Sequence, residues 1–104
     1  MRQTFLRVEV LTGPMDGMGH FTLDGELLIG RGGDADLCLA EDQRVAARHA
    51  RLFAKEGAIW LEDLHSPGGT FIGSTPIGAP IPLSVGMIFR VGNTMIEVRP
   101  EGVL

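Results

Sequence analysis

The sequence predicts an all-β fold, a sandwich of two mainly antiparallel sheets built from short strands. Apolar and polar residues alternate along most of the chain, and no helix-period stripe persists over a helical length. Fifteen glycines and six prolines are spread at intervals instead of forming a low-complexity tract. The pairs Asp24-Gly25, Glu56-Gly57 and Gly92-Asn93 fall between alternating runs, where hairpins turn.

The elements follow in chain order. A first strand is expected over Thr4–Leu11, with Leu6, Val8 and Val10 on one face and Arg7 and Glu9 on the other. The loop TGPMDGMG returns the chain into His20–Leu23, and Asp24-Gly25 leads to Glu26–Ile29. Further strands are expected at Asp36–Leu39, Ala50–Lys55, Ala58–Asp63, Met87–Val91 and Thr94–Arg99. Leu39–Arg51 is the one helix-permissive stretch, and it merges into a strand without a stop signal. By alternation Phe21, Phe53, Trp60, Met87 and Met95 fall between core and outward or edge positions.

At 104 residues the chain fits one domain. It is expected to span residues 1–99, with 100–104 as a short tail or the start of a linker. Nine Lys and Arg against thirteen Asp and Glu give a net charge of −4, without the basic runs that neutralise a nucleic-acid backbone. No apolar stretch approaches bilayer length and the N-terminus has no signal-peptide core, so a cytoplasmic domain without membrane contact is expected. Cys38, the only cysteine, sits in the apolar run LCLA and reads as a packing residue.

Three blocks carry the chemistry: Leu28-Ile29-Gly30-Arg31, then Val45-Ala46-Ala47-Arg48-His49-Ala50, then Leu61 to Phe71 with Asp63, Ser66, Gly68, Gly69 and Thr70. Arg31 closes an apolar strand before Gly32-Gly33, which offers a guanidinium fork to an anion or leaves a solvated strand-end arginine. Gly30 and Gly33 are expected to supply backbone angles closed to other residues. Asp63 and Ser66 flank a turn, where short polar side chains bond their own backbone.

Together these blocks resemble the forkhead-associated (FHA) pattern. In it a Gly-Arg closing an early strand is followed by Ser-x-x-His, then Asp-x-x-Ser-x-Asn-Gly-Thr, an Asn-Gly turn and a C-terminal hairpin. The blocks occur in order with family-like spacing over nearly the whole chain. The resemblance implies an FHA-like sandwich with binding loops at one end, and a module for phosphothreonine-peptide recognition. It makes Arg31 the phosphate-binding arginine and His49 an internal brace, with Gly69-Thr70 setting and anchoring a tight loop.

The sequence departs from the pattern where phosphate and peptide are read. The serine position is Ala46, the two asparagine positions are Gly68 and Gly73, and Ala47 and Pro67 lack polar side chains. A hydrogen bond to a charged group contributes about 1.5–3 kcal/mol, so one lost phosphate contact weakens binding by about one to two powers of ten. Arg44 and Arg48 bracket Val45-Ala46-Ala47; either can stand in for the hydroxyl, or both are solvated arginines pairing with Glu41 or Asp42. Amides around Gly32-Gly33 and Gly68-Gly69 offer a small anion nest.

The candidate phosphopeptide-binding residues are therefore Arg31, Arg44, Arg48, Ser66 and Gly68, and the structural ones Gly30, His49, Asp63, Gly69 and Thr70. The expected function is a protein-protein interaction module of FHA type, phosphorylation-independent or weakly phosphate-dependent. The alternative is a genuine phosphothreonine-peptide binding domain in signalling that uses Arg31 with Arg44 or Arg48. Partners are expected to be a protein or phosphoprotein, with self-association or intramolecular regulation of a larger host also open.

Catalysis is not expected, because Gly30-Arg31-Gly32-Gly33 lacks the Gly-Lys-Ser/Thr ending of a nucleotide loop and Cys38 has no evident base. No cofactor is called for. His20, His49 and His65 lack metal spacing, and Asp34, Asp36, Glu41 and Asp42 read as a solvated acidic rim.

Overall fold

The computed structural model describes residues 6–22 and 25–99. Thr4 and Phe5 of the expected first strand, Leu23, Asp24 and the expected tail at 100–104 lie outside the described residues. Eleven strands form among the described residues: β1 (Leu6–Val10), β2 (Gly19–Thr22), β3 (Glu26–Gly30), β4 (Leu37–Cys38), β5 (Ala50–Lys55), β6 (Ala58–Asp63), β7 (Thr70–Ile72), β8 (Thr75–Pro76), β9 (Ile81–Leu83), β10 (Ile88–Val91) and β11 (Thr94–Val98). They make a six-stranded sheet of order β2-β1-β11-β10-β7-β8 and a five-stranded sheet of order β4-β3-β5-β6-β9. All described pairings are antiparallel except β3 with β4.

Alternation places the core between the sheets. Leu6, Val8 and Val10 face inward from β1, Ile96 and Val98 from β11, and Phe89 and Val91 from β10. Leu27, Ile29, Leu52 and Leu61 meet them from the other sheet, all buried. The β5–β6 hairpin turns on Glu56 and Gly57, both at positive φ, as a two-residue turn matched to strand twist requires. On the outside of that hairpin Phe53 stacks with Trp60 and Arg51 lies over the Phe53 ring. Both aromatics are half-buried, as are Met87 and Met95, whereas Phe21 is exposed. Cys38 is half-buried too, on the edge strand β4.

The strands β7, β8 and β9 carry no alternation signal. Two of them hold three residues and one holds two, and Pro82 sits in β9, an edge position that tolerates a missing donor. The helix-permissive stretch after Leu39 becomes two successive turns, closed by Asp42 N–H to Leu39 O and Val45 N–H to Asp42 O. No helix of the described residues is long and apolar enough to cross a membrane.

Gly30 joins this scaffold to its loops. Its φ is not positive, so the expected angular reason does not hold, and neither does it for Gly33. Space is the reason at Gly30: a Cβ there would overlap the Ala47 carbonyl. Gly30→Ala is therefore expected to lower stability by about 1–3 kcal/mol, the usual effect of overpacking. Chemical denaturation measures it, and the same substitution at Gly33, where a Cβ would meet nothing within 4 Å, serves as the control.

Candidate functional site

Three loops converge at one end of the sandwich: residues 31–36 after β3, 39–49 before β5, and 64–69 between β6 and β7. The first two are laced together. Arg31 N–H donates to Ala46 O at 2.9 Å and Gly32 N–H to Ala47 O at 3.1 Å. This close approach is what the missing side chain of Gly30 permits.

His49 ties the second loop to the third. Its ring is fully buried; Ala46 N–H donates to Nδ1 at 3.0 Å, and Nε2 lies 2.8 Å from Gly69 O. Since Nδ1 accepts, the proton sits on Nε2 and is given to the Gly69 carbonyl. The ring thus links the Ala46 amide of the second loop to the Gly69 carbonyl of the third. The third loop is closed by a carboxylate, Asp63, whose Oδ1 accepts from Ser66 Oγ at 2.5 Å and Thr70 Oγ1 at 2.7 Å while Oδ2 accepts from Ser66 N–H. Ser66 Oγ in turn accepts from Gly69 N–H at 3.0 Å. Gly69 adopts a positive φ there and Thr70 is fully buried.

One residue of the site escaped the sequence reading. Asp42, expected on a solvated acidic rim, is buried. Its Oδ2 accepts from Thr94 Oγ1 at 2.6 Å and Asn93 N–H at 2.8 Å, and its Oδ1 from Arg44 N–H at 3.0 Å. It thereby fastens the second loop to the β10–β11 turn, against Gly92 at positive φ, where a Cβ would crowd both carboxylate oxygens. Burial alone would push this carboxyl up; the hydrogen bonds from Thr94, Asn93 and Arg44 outweigh it and hold the group below its ordinary 3.8. The rest of the expected rim is also engaged in part: Asp36 accepts from Leu28 N–H at 2.7 Å, and Asp34 pairs with Arg48.

The arginines divide into two kinds. Arg48 Nη1 donates to Asp34 Oδ2 at 2.7 Å, and not to Glu41 or Asp42; with side chains 64% and 57% exposed, such a pair contributes about 0–1 kcal/mol and is easily exchanged. Arg31 and Arg44 are exposed, and neither guanidinium has an ion pair or hydrogen bond among the described residues. Gly32 and Gly69 spend their amides inside the loops, so the nest expected there is reduced to Gly33 and Gly68. At Gly68 a Cβ would touch only the Arg44 carbonyl, at an ordinary 3.7 Å. A small pocket of about 150 Å³ lies beside the third loop, lined by Glu62, Asp63, His65 and residues 77–80, and the three arginines take no part in it.

A sandwich whose loops are braced by a buried histidine, behind an arginine that closes an early strand, defines a class of interaction domain. Residues 27–92 match the model of the FHA domain, and the chain belongs to the FHA family. It is similar to FhaB of Mycobacterium tuberculosis, 33% identical over 91 residues that cover 88% of this chain and 58% of that protein. The chain spans about half the length of the FhaB relatives it matches. Among solved structures, it superposes with a TM-score of 0.81 and 29% identity on a domain from a structural and functional analysis of phosphothreonine-dependent FHA domain interactions, covering 96% of this chain and 100% of that one. With the FhaA FHA domain complexed with the intracellular domain of Rv3910 the TM-score is 0.78 at 30% identity, over 90% and 99% of the two chains.

Asp42→Asn is expected to lower stability by about 1–3 kcal/mol, because buried donors lose their charged acceptor. A carboxyl held below its unfolded value stabilises the fold above about pH 3.8, and that contribution fades as pH falls through the lowered folded value. Denaturation of both proteins at several pH values checks this: the gap between them is widest near neutrality and closes in acid.

Proposed function

We propose that this FHA domain is a protein-interaction module, not an enzyme, whose recognition end meets its partner with weak or no dependence on phosphate. One observation carries the reading. Where the family places a hydroxyl donor, Ala46 offers a methyl group, and its amide is already given to His49. Gly68 likewise presents bare backbone where the family has an amide side chain. The loops keep their shape and lose two of the groups that recognise a phosphorylated peptide. The partner is a protein or phosphoprotein, met in the cytoplasm by a domain of residues 1–99 followed by a tail or linker.

The unpartnered Arg31 and Arg44 favour a second reading, a phosphothreonine-peptide binder in signalling that relies on charge. Two guanidinium groups on adjoining loops attract a dianion, and Arg48 can join them by leaving its exposed pair with Asp34. The two readings differ in how much affinity the phosphate adds.

Restoring the missing groups separates them. Gly68 has room for a side chain and no positive φ, so Ala46→Ser with Gly68→Asn is tolerated by the backbone. Titrating phosphothreonine peptides and their unphosphorylated counterparts, the wild type is expected to prefer the phosphorylated forms by less than about tenfold, and the double variant to gain about 10–100-fold for them. A wild type that already discriminates strongly, loses this with Arg31→Ala and gains nothing from the double variant would establish the second reading instead.

A further inference from the structure

The outer face of the six-stranded sheet carries a pattern that the recognition loops do not use. Leu6, Val8, Val10, Ile96 and Val98 point inward, so alternation turns Arg7 and Glu9 of β1, Glu97 of β11 and the following Arg99 outward. Register arranges them in two rows. Arg7 stands between Phe21, its partner in β2, and Arg99, whose amide donates to the Arg7 carbonyl. Glu9 stands between Gly19 and Glu97.

Each row therefore sets like charges side by side, an arrangement that costs stability within one sheet. Arg99 offsets part of that cost. Its Nη1 donates to Glu97 at 2.7 Å, but its Nε is buried without a hydrogen bond and remains 3.7 Å from Glu9. Arg7 has no ion pair among the described residues, and beside it Phe21 is 62% exposed.

We propose that this face pairs with the same face of a second copy of the chain, across a twofold axis lying in the interface, perpendicular to the strands and between the two rows. That rotation exchanges the rows. It sets Arg7 opposite Glu9 of the second copy and Arg99 opposite Glu97 of the second copy, and it lays Phe21 over Gly19 of the second copy, where bare backbone leaves room for the ring. Every contact is made twice, as an isologous interface requires.

Size sets the strength. The strands β2, β1, β11 and β10, about 4.8 Å apart and four or five residues of about 3.4 Å long, present roughly 19 by 14–17 Å, below the usual size of a stable interface. Association is therefore weak, with the charged rows fixing register and Phe21 against Gly19 adding an apolar contact. The recognition loops belong to the end of the sandwich and stay open in the pair. The proposal is thus independent of what those loops bind.

Sedimentation equilibrium from about 10 μM to about 1 mM protein tests it. The mass of the wild type is expected to rise with concentration from 11.2 kDa toward twice that value. Arg7→Glu and Glu9→Arg are each expected to weaken self-association by about tenfold or more, since each puts like charges face to face. Mixing the two variants restores pairing, because one then presents two acids in these positions and the other two arginines. Recovery on mixing also shows that both variants are folded. A wild type that stays monomeric up to about 1 mM, a single variant that self-associates as the wild type does, or a mixture that stays monomeric would each overturn the proposal.

Discussion

The loop end of the sandwich is organised around one buried imidazole. His49 is held by its own backbone to strand β3 and to the start of the third loop: its N–H donates to Ile29 O and its carbonyl accepts from Leu64 N–H. Its ring then reaches the second loop at Ala46 and the third at Gly69. Both ring nitrogens are committed to backbone groups, so the side chain is neither a metal ligand nor a proton shuttle in this arrangement. Replacing it with an apolar residue would leave an amide and a carbonyl without partners, which is why a histidine here is architecture.

Two carboxylates extend the same principle. Asp63 gathers Ser66 and Thr70 into one turn, and Asp42 reaches the β10–β11 turn, about fifty residues away along the chain. All three braces act on backbone or on small hydroxyls, and none uses a guanidinium. Arg31 and Arg44 are consequently left on loops fixed by other means, so the backbone that carries them is ordered before any contact is made. The substitutions at Ala46 and Gly68 change what these loops offer and not how they are held.

Much of the fold was legible because burial on one face of a strand writes a period of two. Leu6, Val8 and Val10 gave β1, and Glu56-Gly57 gave the hairpin whose φ values it requires. The strands β7 to β9 were silent, since two or three residues cannot show a period and Pro82 argues against a strand except at an edge. In the site, Asp63, Ser66 and Thr70 were readable as a local turn. Asp42 was not: a carboxylate in the run Glu41-Asp42-Gln43-Arg44 looks solvated, and its partners Asn93 and Thr94 are visible only once the sheets are assembled. For Gly30 the sequence suggests a special backbone angle, whereas the structure reveals crowding by Ala47.

The most direct test of this account is the protonation pattern of the His49 ring, read by long-range proton–nitrogen NMR correlation in the folded domain. The bracing geometry predicts a single form, with Nδ1 bare and accepting from the Ala46 amide and Nε2 carrying a proton shielded from exchange by the Gly69 carbonyl. An Nδ1–H form, or two ring forms in exchange, would contradict it, because the loops would then lack the bond that holds them in register.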